Sequence, residues 1–88
     1  MKVKANLILK EIAGAHVVLP IGAATVDFTG ILTLNESGAM LWNLLLDGAT
    51  RDDLALALTR EYEVELAEAL VDVDAFIDKL KSANCLDL

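Results

Sequence analysis

The chain is poor in the residues from which catalytic and metal sites are most often built. It has one His, one Cys, one Pro, one Trp, one Tyr and two Phe among 88 residues. A structural zinc site takes about four Cys, His or acidic ligands, so a conventional one is excluded. The single cysteine, Cys85, has no partner for an internal disulfide and reads as a small apolar residue near the core. His16 and the serines have no neighbours that would assemble a nucleophile, base and orienting acid, and His16 reads as an ordinary strand residue. Gly22, Gly30, Gly38 and Gly48 are scattered, so no phosphate-cradling loop forms. No apolar run reaches the ~18 residues of a membrane span, and no apolar signal segment opens the chain. A soluble, reducing, cytoplasmic setting is the expectation. Basic residues are scarce too: seven against fourteen acidic, for a net charge of −7 and a pI near 4.4. Nucleic-acid affinity comes largely from Lys and Arg displacing counterions, and anionic lipid attracts the same residues. Neither is expected as a partner, and no cofactor is expected.

What is present is apolar aliphatic mass. Hydrophobic residues make up 56% of the chain and aromatics only 5%, so the core must be built from Leu, Val, Ile and Ala. This length suits one domain over residues 1–88.

Met1 to Asn6 reads as a frayed lead-in. Leu7 to Ile12 has strand-favouring residues with partial alternation, Ala13-Gly14-Ala15 is a turn signal, and His16 to Leu19 follows as a second strand. Pro20 has no N–H for a ladder and marks that strand's end or an edge position. Asp27-Phe28-Thr29-Gly30 has the residue preferences of a type I turn, and Ile31 to Leu34 is a short third strand.

The helices come next. Asn35 is placed as an N-cap and Glu36 suits the positive helix end. Met40, Leu41, Trp42, Leu44, Leu45 and Leu46 then predict a central core helix, apolar around most of its circumference. Gly48 is available for a left-handed C-cap. Thr50 starts a second helix with Asp52 and Asp53 at its positive end, and Leu54, Leu58 and Tyr62 form a narrow apolar stripe. A third helix spans about Leu66 to Ala83, with Leu66, Leu70, Val73, Ile77 and Leu80 toward the core. A weaker stripe of Ala67, Val71 and Ala75, bordered by Asp74 and Asp78, has two readings: packing against a strand, or the floor of a shallow groove.

The carboxylates of the third helix lack the spacing and central Gly of a calcium loop and read as a solvated acidic face. Glu68 with Asp72, and Asp74 with Asp78, are like-charged pairs one helical turn apart, each costing about 0.2–0.5 kcal/mol. An acyl-carrier reading matches poorly: the candidate attachment site would be Glu36-Ser37-Gly38, and strands precede the helices.

Three stretches together resemble one family. They are Leu34 to Leu45 with its Leu-Asn pair and a Trp seven residues after the Asn, Gly48-Ala49-Thr50, and Asp72 to Leu80 with Asp-Val, Phe and Leu. This ordered set resembles the PqqD family of peptide chaperones, also called RiPP recognition elements, and Leu7 to Leu19 fits the family's opening hairpin. The resemblance implies an α+β, winged-helix-like fold: a three-stranded antiparallel sheet followed by three helices. It also implies a non-catalytic role, binding the leader segment of a ribosomally made precursor peptide and presenting it to a modifying enzyme, often a radical SAM protein. The leader would add as a strand to Ile31, Leu32, Thr33 and Leu34 and lie against the third helix at Val71, Asp72, Asp74, Ala75 and Asp78. The alternatives are a winged-helix DNA-binding regulator, which the acidity opposes, and a structural subunit of a larger enzyme. Monomer and homodimer are both open.

Overall fold

The computed structural model describes residues 1–21 and 32–87. The elements, in chain order, are β1 (Lys2–Val3), β2 (Leu7–Ile12), β3 (Ala15–Pro20), β4 (Leu32–Leu34), α1 (Glu36–Asp47), α2 (Arg51–Tyr62), α3 (Leu66–Ser82) and β5 (Leu86–Asp87). One antiparallel sheet runs β2-β3-β4 and a second, of two strands, pairs β1 with β5. The fold is α+β. The turn expected at Asp27 to Gly30, and Ile31 itself, lie outside the described residues.

The β2–β3 hairpin closes through a two-residue turn, with Ile12 opposite Ala15. Ala13 and Gly14 both have positive φ, 52° and 83°, the signature of a type I′ turn, which matches the right-handed twist of its strands. Such a turn makes Ile12 and Ala15 a hydrogen-bonded pair, and alternate pairs along the ladder follow suit. Pro20, opposite Leu7, therefore falls at a pair where β2 asks for no N–H. The next residue confirms the phase: the Ile21 N–H donates to the Asn6 carbonyl at 2.9 Å.

Each helix begins as its first residues dictate. The Asn35 side chain accepts from the Gly38 N–H at 2.8 Å. Thr50 and Asp53 form a reciprocal capping box: Asp53 N–H to Thr50 Oγ1 at 3.1 Å, Thr50 N–H to the Asp53 carboxylate at 3.0 Å. That backbone donor holds the Asp53 carboxyl below its usual pKa. Among the described residues, no side chain caps α3.

The core gathers Trp42 and Leu45 of α1, Leu54 and Leu58 of α2, Val73 and Leu80 of α3, and Val18 of β3. Trp42 is fully buried, and its indole N–H has no hydrogen-bond partner among the described residues.

Several expectations need correction. Met1 to Asn6 is not frayed. Val3 is buried, the Met1 backbone exchanges two hydrogen bonds with Ala49, and Lys4 N–H donates to the Cys85 carbonyl at 2.9 Å. What closes the chain there is the end of α3. Asn84 adopts positive φ (58°), Cys85 N–H reaches back to Leu80 C=O and Asn84 N–H to Lys81 C=O. This is a Schellman motif, with buried Leu80 and Cys85 as its apolar contact, and it turns the chain into β5 beside β1. Gly48 does take positive φ, but at φ 101° and ψ 135° it lies outside the left-handed helical well. Helix α1 is one-sided: Leu44 and Leu46 are exposed. Tyr62 and Leu66, expected on core stripes, are exposed as well, and Ala69 and Phe76 occupy the core face of α3 instead.

Two measurements follow from these features. Alanine at positive φ costs roughly 1–2 kcal/mol relative to a residue that tolerates it. Ala13→Asn should therefore raise the unfolding free energy by about 1 kcal/mol in a denaturant titration. Burial pushes the Cys85 thiol up to about 11 from 9.0. Its folded pKa is the higher one, so the thiol's contribution is full below pH 9.0 and is lost as pH rises toward about 11. The stability advantage of the wild type over Cys85→Ala should shrink across that alkaline window and stay flat below it.

Candidate functional site

Among the described residues, strand β4 is the last strand of its sheet, paired to β3 with His16 opposite Leu34, Val17 opposite Thr33 and Val18 opposite Leu32. The ladder phase fixed by the hairpin settles which way its backbone points. Val17 is hydrogen-bonded toward β2, so His16 and Val18 bond toward β4, and Thr33 is left with both its N–H and its C=O directed outward. Consistently, the Thr33 carbonyl accepts from Lys79 Nζ of α3 at 2.8 Å. Side chains alternate across the strand: Leu34 is buried, Leu32 is half-buried against the core, and Thr33 is exposed.

Beyond Leu34 the edge opens into a cleft of about 870 Å³. Three elements form it. The start of α1 contributes Asn35 to Gly38 and Leu41, the end of α2 contributes Leu58 and Tyr62, with Val64 just beyond, and the middle of α3 contributes Asp72, Ala75, Phe76 and Lys79. The floor is apolar (Leu34, Leu41, Leu58, Phe76), and charge sits at Glu36, Asp72 and Lys79. Gly38 lets the first turn of α1 fold closely onto Leu34 and Asn35 here, with Phe76 of α3 against it. A β-carbon at that position would lie 3.1 Å from Asn35 Oδ1, 3.3 Å from Leu34 Cβ and 3.6 Å from Phe76 Cε1. Asn35 is held in turn by its cap bond and by the Ser37 hydroxyl, which donates to Asn35 Oδ1 at 3.0 Å.

Of the residues singled out from sequence, Leu34, Asp72 and Ala75 line this cleft. Leu32 and Thr33 lead into it along β4, and Ile31 lies outside the described residues. Val71, Asp74 and Asp78 do not line the cleft. Val71 is 67% exposed. Asp74 is engaged by Arg51 at the start of α2, through two hydrogen bonds of 2.6 and 2.8 Å, and the guanidinium holds its carboxyl below the usual range. The stripe Ala67, Val71 and Ala75 is solvent-exposed and does not pack against a strand. Asn35, Leu41 and Leu58 line the cleft too, read from sequence as cap and core, and the other cleft residues not singled out as site are Glu36, Ser37, Gly38, Tyr62, Val64, Phe76 and Lys79. Gly38 carried a usable signal, because an interior helical glycine costs about 1 kcal/mol relative to Ala and often marks a close approach. Among the described residues, no three His, Cys, Asp or Glu side chains come together as a metal site.

Among the described residues, a sheet edge with outward-directed backbone groups thus lies beside an apolar, helix-walled cleft. The family model for coenzyme PQQ synthesis protein D (PqqD) matches residues 15–86, and the chain belongs to the PqqD family. Two solved structures are similar over nearly its whole length. One is "TbiB1 in Complex with the TbiA(beta) Leader Peptide", with a TM-score of 0.77 and 22% identity over 99% of this chain and 95% of that one. The other is "Lasso peptide synthetase B1 complexed with the leader peptide", with a TM-score of 0.71 and 30% identity over 92% and 89%. No curated protein matches the chain significantly.

Replacing the cap that anchors the mouth of the cleft tests its local role. Asn35→Ala should lower stability by about 1 kcal/mol and accelerate amide exchange at Gly38 ahead of the rest of α1.

Proposed function

We propose that this domain is a non-catalytic peptide chaperone. It binds the leader segment of a ribosomally synthesised precursor peptide as an added strand along β4, and presents it to a peptide-modifying enzyme of the radical SAM or another class. The observation that carries this reading is the outward-directed N–H and C=O of Thr33 beside an open apolar cleft. Membership of the PqqD family supports it, as does likeness to two proteins whose structures contain leader peptides. The working compartment is the cytoplasm, where such precursors are made.

The energetics assign different tasks to edge and cleft. An extended peptide can satisfy an open strand edge whatever its sequence. Two backbone bonds at Thr33, at about 1 kcal/mol net each, give about 2 kcal/mol. Micromolar affinity takes about 8 kcal/mol, before the cost of ordering the peptide. The remaining ~6 kcal/mol corresponds to about two to four large apolar side chains leaving water, at ~1.5–3 kcal/mol each. The edge fixes direction, and the cleft at Leu34, Leu41, Leu58 and Phe76 recognises identity. The net charge of −7 weighs against DNA as the occupant.

The test is an NMR titration with the leader of a precursor peptide encoded beside this gene. Amide shifts should cluster at Leu32 to Leu34 and at Ala75, Phe76 and Lys79, and shifts confined to other surfaces would sink the reading. Thr33→Pro deletes the outward N–H at an edge position that tolerates proline. It should weaken binding about fivefold or more while circular dichroism shows an unchanged fold.

A further inference from the structure

The outward carbonyl of Thr33 is not free. Lys79 crosses from α3 to donate to it at 2.8 Å, and it is the only basic side chain among the described residues lining the cleft. An added strand needs that carbonyl for its own N–H. Binding therefore takes the Lys79 ammonium off its acceptor or makes it share one, at a spot screened from water by the arriving chain. A displaced ammonium in such a place gains most from a carboxylate, because charge-assisted hydrogen bonds are the strong ones.

We propose that Lys79 acts as a latch on the β4 edge and selects leader peptides bearing an Asp or Glu at one register position. This rests on the strand-addition reading above and specifies the peptide's chemistry. Geometry gives the position. Side chains alternate along a strand, and α3 lies on the Leu34 face of β4. The acidic residue is thus a neighbour of the one pairing with Thr33, on the side where Leu34 and Lys79 lie. The rest of the cleft's charge sharpens the choice, since Glu36 and Asp72 repel a carboxylate displaced from that position.

The experiment selects binders from a random 15-residue mRNA-display peptide library on the wild type, Lys79→Met and Lys79→Glu. Lys79 is exposed, and circular dichroism confirms that each variant is folded before selection. Wild-type binders should align on an apolar pattern with Asp or Glu enriched at one fixed position. That enrichment should vanish with Lys79→Met and turn to Lys or Arg with Lys79→Glu. For a selected peptide, Asp→Asn at that position should weaken wild-type binding about three- to tenfold and leave Lys79→Met binding unchanged. Apolar enrichment without a charge preference, or an acidic preference that persists in Lys79→Glu, overturns the latch and leaves peptide binding standing. Recovery of no peptides on the wild type overturns both.

Discussion

The contact of α3 with the start of α1 at Gly38 is the constraint on which the cleft depends. Asn35 and Leu34 crowd this position more tightly than a β-carbon ordinarily meets, and Phe76 of α3 lies against it at ordinary contact distance. Their convergence ties the end of β4, the first turn of α1 and the middle of α3 into one rigid corner. Because Leu34 is buried there, the register of β4 is fixed: a slip of one residue would move Leu34 to the solvent face and bring Thr33 into the core. The outward direction of the Thr33 backbone is therefore a consequence of core packing. A binding edge is only as well defined as the residue that anchors it, and here that residue is Leu34.

The two-stranded sheet plays a complementary part at the other end. The Schellman turn at Asn84 and Cys85 delivers β5 to β1, while Met1 is bonded to Ala49 between α1 and α2. These contacts bridge the beginning of the chain, the α1–α2 junction and the end of α3. They hold α3 at its C-terminal end, as Phe76 and Gly38 hold its middle. With both points fixed, Lys79 is within reach of the Thr33 carbonyl. Had the first six residues been frayed, α3 would lack half of this support.

What was legible in the sequence is what local chemistry decides. Asn35 was readable as a cap, and Thr50 as the start of a helix, because a helix start depends on only its own next three residues. The three helices and the hairpin were readable from apolar periodicity and from Gly14. The order of elements, together with the motif at Leu34 to Leu45, pointed to the right family. The β1–β5 pairing was not readable, because two-residue strands carry no periodicity and meet only after the whole fold has formed. The cleft was half readable for a related reason. Spacing on α3 identifies faces, but which face looks onto a cleft depends on where α1 and α2 stop. Ala75 and Asp72 share the cleft face, whereas Asp74 is turned toward Arg51 on α2, a pairing across 23 residues that no helical wheel contains. Tyr62 fell on the apolar stripe of α2 by spacing. Its place at the end of that helix puts it on the rim instead.

An edge strand that must accept a peptide carries a standing hazard, since the same outward groups accept another copy of the chain. The structure limits that hazard in two ways. Strand β4 has only three described residues, with one outward N–H and C=O pair at Thr33. A second copy pairing at Thr33 alone gains about 2 kcal/mol of backbone bonding, below what association costs. The Lys79 ammonium adds the device natural sheets use on exposed edges, a lysine that must be displaced before pairing begins. A cognate peptide overcomes both because it brings apolar side chains for the cleft, which a flat edge from another copy does not. A small backbone contribution at Thr33 is thus no defect in a binding strand. It moves the burden of affinity onto the cleft, and that makes the edge selective.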